Sequence, residues 1–258
     1  MTITTPLVAP TFHGRVAIVT GGTRGIGAAI STRLLHEGAD VFAVYASADA
    51  AAQAFAESVV GTPGRLVLHR ADIGDPVACH EIVAAALREF GRVDHLVNNA
   101  GVLVENSVRK MTIEEWDRAI SVNLSASFHL AQAAIEPMTA QGFGRIVNVS
   151  SITAFMGNSV EAGYGAAKAG LHGLTRSLSR AVARKGITVN VVVPGVFETD
   201  MTNDMTPEAQ EAIKGMIPLG RRGDPAELAH AVLFLLDERA AYVTGSVVTV
   251  DGGISMGA

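Results

Sequence analysis

Residues 15–27 read RVAIVTGGTRGIG, and this stretch decides the fold. Arg15–Thr20 is a short run of valine, isoleucine and alanine with no alternation, the pattern of a strand buried on both faces. It runs without a linker into Thr20-Gly21-Gly22-Thr23-Arg24-Gly25-Ile26-Gly27, after which the apolar residues recur at helical spacing. Strand, glycine turn and helix in that order are what a phosphate cradle requires. Gly21 permits the tight turn, Gly25 lets the backbone approach a pyrophosphate, and Gly27 lets the helix close on the strand with its N-terminus facing the anion. Glycines also mark ordinary turns, so the loop needs company before it carries a function.

Working outward, six further apolar runs follow: Asp40–Tyr45, Arg65–Arg70, His95–Asn98, Arg145–Ser150, Thr188–Val193 and Ser246–Val250. Helical spacing fills the intervals at Gly25–Glu37, Ala48–Val60, Pro76–Phe90, Thr112–Thr139, Gly163–Arg184 and Pro225–Asp237. Gly38 and Gly91 punctuate helix ends, and Pro76, Pro207 and Pro225 helix starts. Strict alternation predicts a Rossmann-type α/β fold, a doubly wound parallel sheet of seven strands in one domain. Residues 1–13 read as a loose arm, 14–258 as the dinucleotide-binding catalytic domain, and about 195–224 as a lid. The stretch between Pro194 and Pro225 is the only long irregular one expected.

The chain has 258 residues, of which 48% are apolar and 17% charged, enough for one sizeable core. A net charge of −5 gives no long-range attraction to nucleic acid or anionic lipid, so neither is an expected partner. No apolar run has spanning length, and the first residues lack the pattern of a secretory signal, which points to a cytoplasmic setting. Cys79 is the single cysteine, so no intrachain disulfide forms, and it reads as a structural helix residue. The eight histidines are scattered without ligand spacing, so no metal is expected.

At the end of the second strand the sequence gives Tyr45-Ala46-Ser47 where an acid would bond the 2′-hydroxyl of NAD. A 2′-phosphate meets no repulsion there, and Arg24 offers it a cation, although Arg24 also reads as a solvated loop residue. The expectation is NADP(H) in preference to NAD(H). Tyr164 and Lys168 stand one helical turn apart on a face that continues through Leu171, Thr175, Leu178 and Val182. A lysine on an apolar face is costly without a partner or ligand. Bringing a tyrosine from pKa about 10 toward 7 takes roughly 4 kcal/mol of phenolate stabilisation, which an adjacent ammonium and a cationic pyridine ring supply. Ser151 closes the strand Gly144–Ser151 at its carboxyl end, where open parallel sheets bind ligands.

The joint, ordered occurrence of Thr20-Gly21-x3-Gly25-x-Gly27, Asn98-Asn99-Ala100-Gly101, Asn123, Ser151, Tyr164-x3-Lys168, Pro194-Gly195-x3-Thr199 and Asp251-Gly252-Gly253 resembles the short-chain dehydrogenase/reductase family. The resemblance spans Gly14 to Gly253. It implies a catalytic tetrad: Tyr164 as general acid/base, Ser151 orienting the carbonyl, Lys168 on the ribose hydroxyls and lowering the tyrosine pKa, and Asn123 holding a water in the proton relay. It implies cofactor contacts from Gly21, Thr23, Arg24, Gly25, Ile26 and Gly27, and from Tyr45, Ala46 and Ser47. Asp72 and Ile73 would flank the adenine and Asn99 the adenosine ribose, with Ala100 and Gly101 beside it. Pro194, Gly195, Phe197 and Thr199 would line the nicotinamide end, Thr199 at the carboxamide.

Within the family, Met156–Asn158, YGAAKAG, ITVNVVVPG and ETDM look most like 3-oxoacyl-(acyl-carrier-protein) reductases. The expected substrate is a β-ketoacyl thioester or similar apolar ketone, with an acyl carrier protein as macromolecular partner. Three departures stand out: Ala162-Gly163 before the tyrosine, Phe197 in place of a smaller residue, and Ala140–Phe143 without basic residues for an acidic carrier. Arg176, Arg180, Arg184 and Lys185 form either a docking patch or a solvated face. Phe197, Met201, Met205, Met216 and Ile217 suit a lid over a nonpolar substrate, or fill core gaps. Small residues on the Tyr164 helix favour a homotetramer. The alternatives are a dehydrogenase of a steroid, polyol or other secondary alcohol, and a non-catalytic dinucleotide sensor.

Overall fold

Seven parallel strands form one sheet in the order β3-β2-β1-β4-β5-β6-β7 in a computed structural model that describes residues 12–199 and 206–257. The strands are β1 Val16–Thr20, β2 Asp40–Tyr45, β3 Leu66–Arg70, β4 His95–Asn98, β5 Gly144–Val149, β6 Ile187–Pro194 and β7 Val247–Val250. The helices between them are α1 Gly25–His36, α2 Asp49–Ser58, α3 Pro76–Phe90, α4 Ile113–Ile120, α5 Ala126–Gln141, α6 Thr153–Met156, α7 Ala162–Val182, α8 Pro207–Met216 and α9 Pro225–Leu236.

Alternating side chains along each strand separate into two cores because successive Cβ atoms point to opposite faces. Ala17, Val19, Val41 and Ala43 pack with Ile30 and Leu34 of α1 and Leu228 and Val232 of α9. Ile18, Phe42, Val44 and Leu96 pack on the other face with Ile82 of α3 and Leu130 and Met138 of α5. Burial on both faces explains why the strands read as unbroken apolar runs. The order of strand addition reverses between β1 and β4, both parallel neighbours, which opens a crevice at the strands' carboxyl ends.

The caps agree with the punctuation. Thr112 and Glu115 form a reciprocal capping box on α4, and Asp224 and Glu227 form another on α9. Gly38 and Gly91 adopt positive φ after α1 and α3. Cys79 is buried in α3, its thiol bonded to the Ile73 carbonyl and pushed up to about 11 by burial, a structural residue.

Two expected elements differ. The segment Thr112–Thr139 is helical as expected but not α-helical throughout, since α4 runs into α5 through a π-helical turn, Ser121–Ser125, around Asn123. The stretch after Pro194 is not irregular throughout, because Thr206 caps α8 and Pro207 opens it. α8 has no buried residue, so it carries no apolar stripe to announce itself. Met201 and Met205, and residues 1–11 of the expected arm, lie outside the described residues. No helix among the described residues is long and apolar enough to cross a membrane.

At the amino end of the sheet, His95 is buried between the rings of Phe12 and Phe143, and neither of its nitrogens has a hydrogen-bond partner. Burial lowers its pKa to about 3, against the pull of the neighbouring Asp94 carboxylate. An unfolded histidine titrates near 6.5, so between those values the unfolded chain binds the extra proton. His95 therefore leaves stability intact above about pH 6.5 and withdraws it as pH falls toward about 3. The melting temperature is expected to drop between about pH 7 and pH 4.5, and His95→Leu to drop less over that interval. Parallel melting curves for the two proteins would show that another group sets the acid limb.

Candidate active site

The glycine loop is built by sterics. Gly21 and Gly25 have φ of +63° and +50°, the left-handed region that only glycine enters freely. A Cβ on Gly27 would overlap the Gly21 carbonyl oxygen and come within 2.6 Å of Asn99 Nδ2. α1 begins at Gly25 with no side-chain cap from Arg24 and no acid in its first turn. Its first N–H groups thus face the crevice as donors for an anion. Thr23 is buried, and Arg24 lies exposed at the mouth.

Thr20 holds the loop from behind: its Oγ1 accepts from the Asn99 and Ala100 amides, both at 3.0 Å. Asn99 Nδ2 donates to the Thr20 carbonyl at 2.9 Å and is 3.4 Å from that of Gly21. The Asn99 side chain, expected at the ribose, is thus engaged in joining the loop to β4. Thr199 reaches across from the end of β6, its methyl 3.5 Å from where a Gly25 Cβ would lie. Pro194 and Gly195 are tied to their neighbours through backbone bonds from Ile152 N and to Val250 O. Phe197, expected at the nicotinamide, is 4% exposed and packs its ring against Gly223 in the core.

At the outer end of the crevice, Tyr45 closes β2, and Ala46 and Ser47 are exposed. Arg70 donates to the Ala46 carbonyl at 3.2 Å and to Asp49 at 3.1 Å. Asp72 is bonded bidentately to Arg118 of α4, at 2.9 and 3.1 Å, and accepts from Gly74 N. That Arg118 bond, with the Gly74 amide, holds its carboxyl below the usual range. The Ile73 side chain belongs to the core, and its carbonyl accepts from the Cys79 thiol.

Ser151 follows β5, and Tyr164 and Lys168 approach it from α7. The Lys168 ammonium is buried, donates to the Val149 carbonyl at 2.8 Å and lies 5.6 Å from the Tyr164 ring centre. Burial lowers its pKa to about 8. Burial also raises the Tyr164 hydroxyl above its ordinary value; a hydrogen bond with Ser151 opposes this and the Glu161 charge adds to it. Asn123 donates to the Val102 and Ala119 carbonyls, each at 2.9 Å, and accepts from Val102 N at 3.1 Å. A Cβ on Gly101 would fall 2.7 Å from Asn123 Oδ1 and 3.5 Å from Lys168 Nζ, so this glycine keeps the space between them open.

Several residues that support the site were given no role in it from the sequence. Beneath it, a buried ladder runs from Asn98 to Asn148 at 2.8 Å and on to Thr175 at 2.9 Å, joining β4, β5 and α7. Ser150 donates to the Lys168 carbonyl at 2.8 Å, with His172 Nε2 3.0 Å away. Because the single Ser150 proton is so engaged, His172 is the donor to it. The apolar stripe of α7 marked Thr175 by position alone, and nothing local marked Arg118, Ser150 or His172.

A family model described as Enoyl-(Acyl carrier protein) reductase matches residues 21–255. The chain is 42% identical over 245 residues to the 3-oxoacyl-(acyl-carrier-protein) reductase FabG of Escherichia coli (strain K12), covering 95% of this chain and 99% of that protein. Among solved structures, a variant of a Serratia marcescens short-chain dehydrogenase/reductase superposes with a TM-score of 0.89 at 37% identity, covering 95% and 99% of the two chains. Levodione reductase superposes with a TM-score of 0.90 at 33% identity, covering 96% and 100%.

Proposed function

The chain belongs to the short-chain dehydrogenase/reductase family, and on that premise we propose that it reduces a β-ketoacyl thioester or a similar apolar ketone with NADP(H), Tyr164 giving the proton. It is an oxidoreductase of the 3-oxoacyl-(acyl-carrier-protein) reductase type, and its family implies a nicotinamide dinucleotide. The observation that carries the finer reading is Lys168: an ammonium 3% exposed, meeting the Val149 carbonyl and, among the described residues, no carboxylate, with the Tyr164 ring centre 5.6 Å away. A buried cation so placed is costly unless it acts on a ligand or on its neighbour.

The uncapped first turn of α1, the glycines that exclude Cβ atoms, and Thr199 across the loop fit a bound pyrophosphate and its nicotinamide end. When bound, the dinucleotide supplies the hydride. The protein's part is the oxygen: Tyr164 and Ser151 hold it between two O–H donors, and Tyr164 releases its proton as charge develops there. Lys168 provides the positive field for the phenolate and reaches the ribose hydroxyls. The Asn123 side chain is committed to Val102 and Ala119, so a relay water falls to its main-chain carbonyl.

For the 2′-phosphate, the exposed Arg24 and the Tyr45-Ala46-Ser47 end of β2 support NADP(H), the nearby Asp49 being paired with Arg70. Arg176, Arg180, Arg184 and Lys185 lie exposed along α7 and the turn after it, a basic strip for an acidic carrier protein. Exposed Ala166 and Ala169, with open space at Gly173, leave a flat face on α7 that supports the homotetramer.

The test is oxidation of NADPH and NADH by the purified chain with a β-ketoacyl thioester. Turnover with NADPH exceeding that with NADH is expected, and Arg24→Ala should raise KM for NADPH about tenfold while sparing NADH. Equal kcat/KM for the two cofactors contradicts the cofactor assignment. Absence of thioester turnover alongside alcohol oxidation favours the dehydrogenase reading.

A further inference from the structure

Glu161 is a carboxylate that ketone reduction does not call for. It precedes α7, three residues before Tyr164, and is 8% exposed. Its Oε1 accepts from Asn158 Nδ2 at 2.7 Å and its Oε2 from Thr153 Oγ1 at 3.3 Å. Thr153 Oγ1 in turn lies 3.3 Å from Ser151 Oγ, which also accepts from the Thr153 amide at 3.2 Å. A continuous chain therefore runs from the Ser151 hydroxyl through Thr153 to a buried acid.

Each hydroxyl has one proton, and an ionised carboxylate only accepts. With Glu161 charged, Thr153 must donate to it, which leaves Thr153 only lone pairs to offer Ser151. Ser151 then donates to Thr153, and its proton points away from the crevice. A donor at position 161 reverses the chain: Thr153 accepts from it and donates to Ser151, whose own proton is released toward the reacting oxygen. We propose that Glu161, acting through Thr153, sets the direction of the Ser151 hydroxyl and thereby whether Ser151 donates to the substrate carbonyl. Both are positioning residues. The inference rests on the reading that Ser151 and Tyr164 together hold that oxygen.

The charged and titratable groups around Glu161 are Glu105, on the segment after β4, and Tyr164 on α7. Burial raises the Glu161 carboxyl above its usual value, the Thr153 bond opposes this and Glu105 adds to it. Protonation thus begins closer to neutrality than for an exposed glutamate, and the donating arrangement belongs to the lower-pH side.

The experiment is steady-state reduction of a β-ketoacyl thioester with NADPH from about pH 6 to about pH 9. Glu161→Gln keeps an oxygen for Asn158 and presents an N–H to Thr153. It is expected to raise kcat near pH 8 about three- to tenfold, with KM unchanged, and to flatten the decline of kcat with rising pH. Thr153→Val keeps the carboxylate charge but removes the acceptor, and is expected to raise kcat likewise; it also serves if Glu161→Gln does not fold. Wild-type kcat and pH profile in both variants overturn the proposal. A change in Glu161→Gln alone, with Thr153→Val unchanged, also overturns it, since Glu161 then acts only by charge on Tyr164. Ser151→Ala read at about pH 6, the side to which the donating arrangement belongs, separates the two levels: wild-type kcat there defeats the reading of Ser151 itself, whereas its loss beside two unaltered variants defeats only the relay.

Discussion

Tyr164→Phe is expected to lower kcat and kcat/KM together by about 10^3-fold while leaving dinucleotide affinity within about twofold. The substitution removes one oxygen and keeps the ring beside the Lys168 ammonium, and the elements that receive the pyrophosphate, from Gly21 to the first turn of α1, are untouched. In the free chain burial holds the Tyr164 proton on more firmly than in water, which suits a donor at neutral pH. The ammonium nearby, itself lowered to about 8, remains mostly charged there and favours the phenolate once the proton has left. Equal falls in both kinetic constants identify an interaction made in the transition state. Stopped-flow reduction together with cofactor titration separates the two effects, and a variant with wild-type kcat takes Tyr164 out of the chemistry.

Gly27→Ala should weaken NADPH binding roughly 100-fold and lower the melting temperature, through overpacking worth about 2–3 kcal/mol. The added methyl overlaps the Gly21 carbonyl oxygen and presses on Asn99 Nδ2, which itself bonds the Thr20 carbonyl. None of these neighbours is the free end of a flexible side chain, so α1 must move away from β1 and carry its amides off the anion. Fluorescence titration measures the loss; an unchanged Kd would mean that the helix can shift without disturbing the cradle.

The sheet was legible because its five inner strands are largely buried on both faces and each is separated by a helical interval, so continuous valine and isoleucine runs such as Thr188–Val193 admit few other readings. Tyr164 and Lys168 were legible because one helical turn sets them on one face. Other features left no local trace. The π turn at Asn123 inserts within a helical pattern whose apolar spacing continues on both sides, so periodicity reads straight through it. Arg118 meets Asp72 across 46 positions of chain, and Asn99 turns its amide protons to the loop's own carbonyls. Both depend on packing rather than on pattern. Phe197 reads equally as a lid residue or as a core filler, and the missing Cβ of Gly223, which makes the space in which its ring is buried, lies 26 positions away in the chain.

The claim on which the account turns is that two hydroxyls, from Tyr164 and Ser151, meet one carbonyl oxygen while a hydride reaches its carbon. A crystal structure with oxidised NADP and a non-reacting ketone analogue measures this directly. The account predicts both hydroxyl oxygens within about 2.6–3.2 Å of the carbonyl oxygen and the nicotinamide C4 about 3–3.5 Å from the carbonyl carbon. A Tyr164 hydroxyl turned away from that oxygen, with the analogue held by other groups, would contradict it.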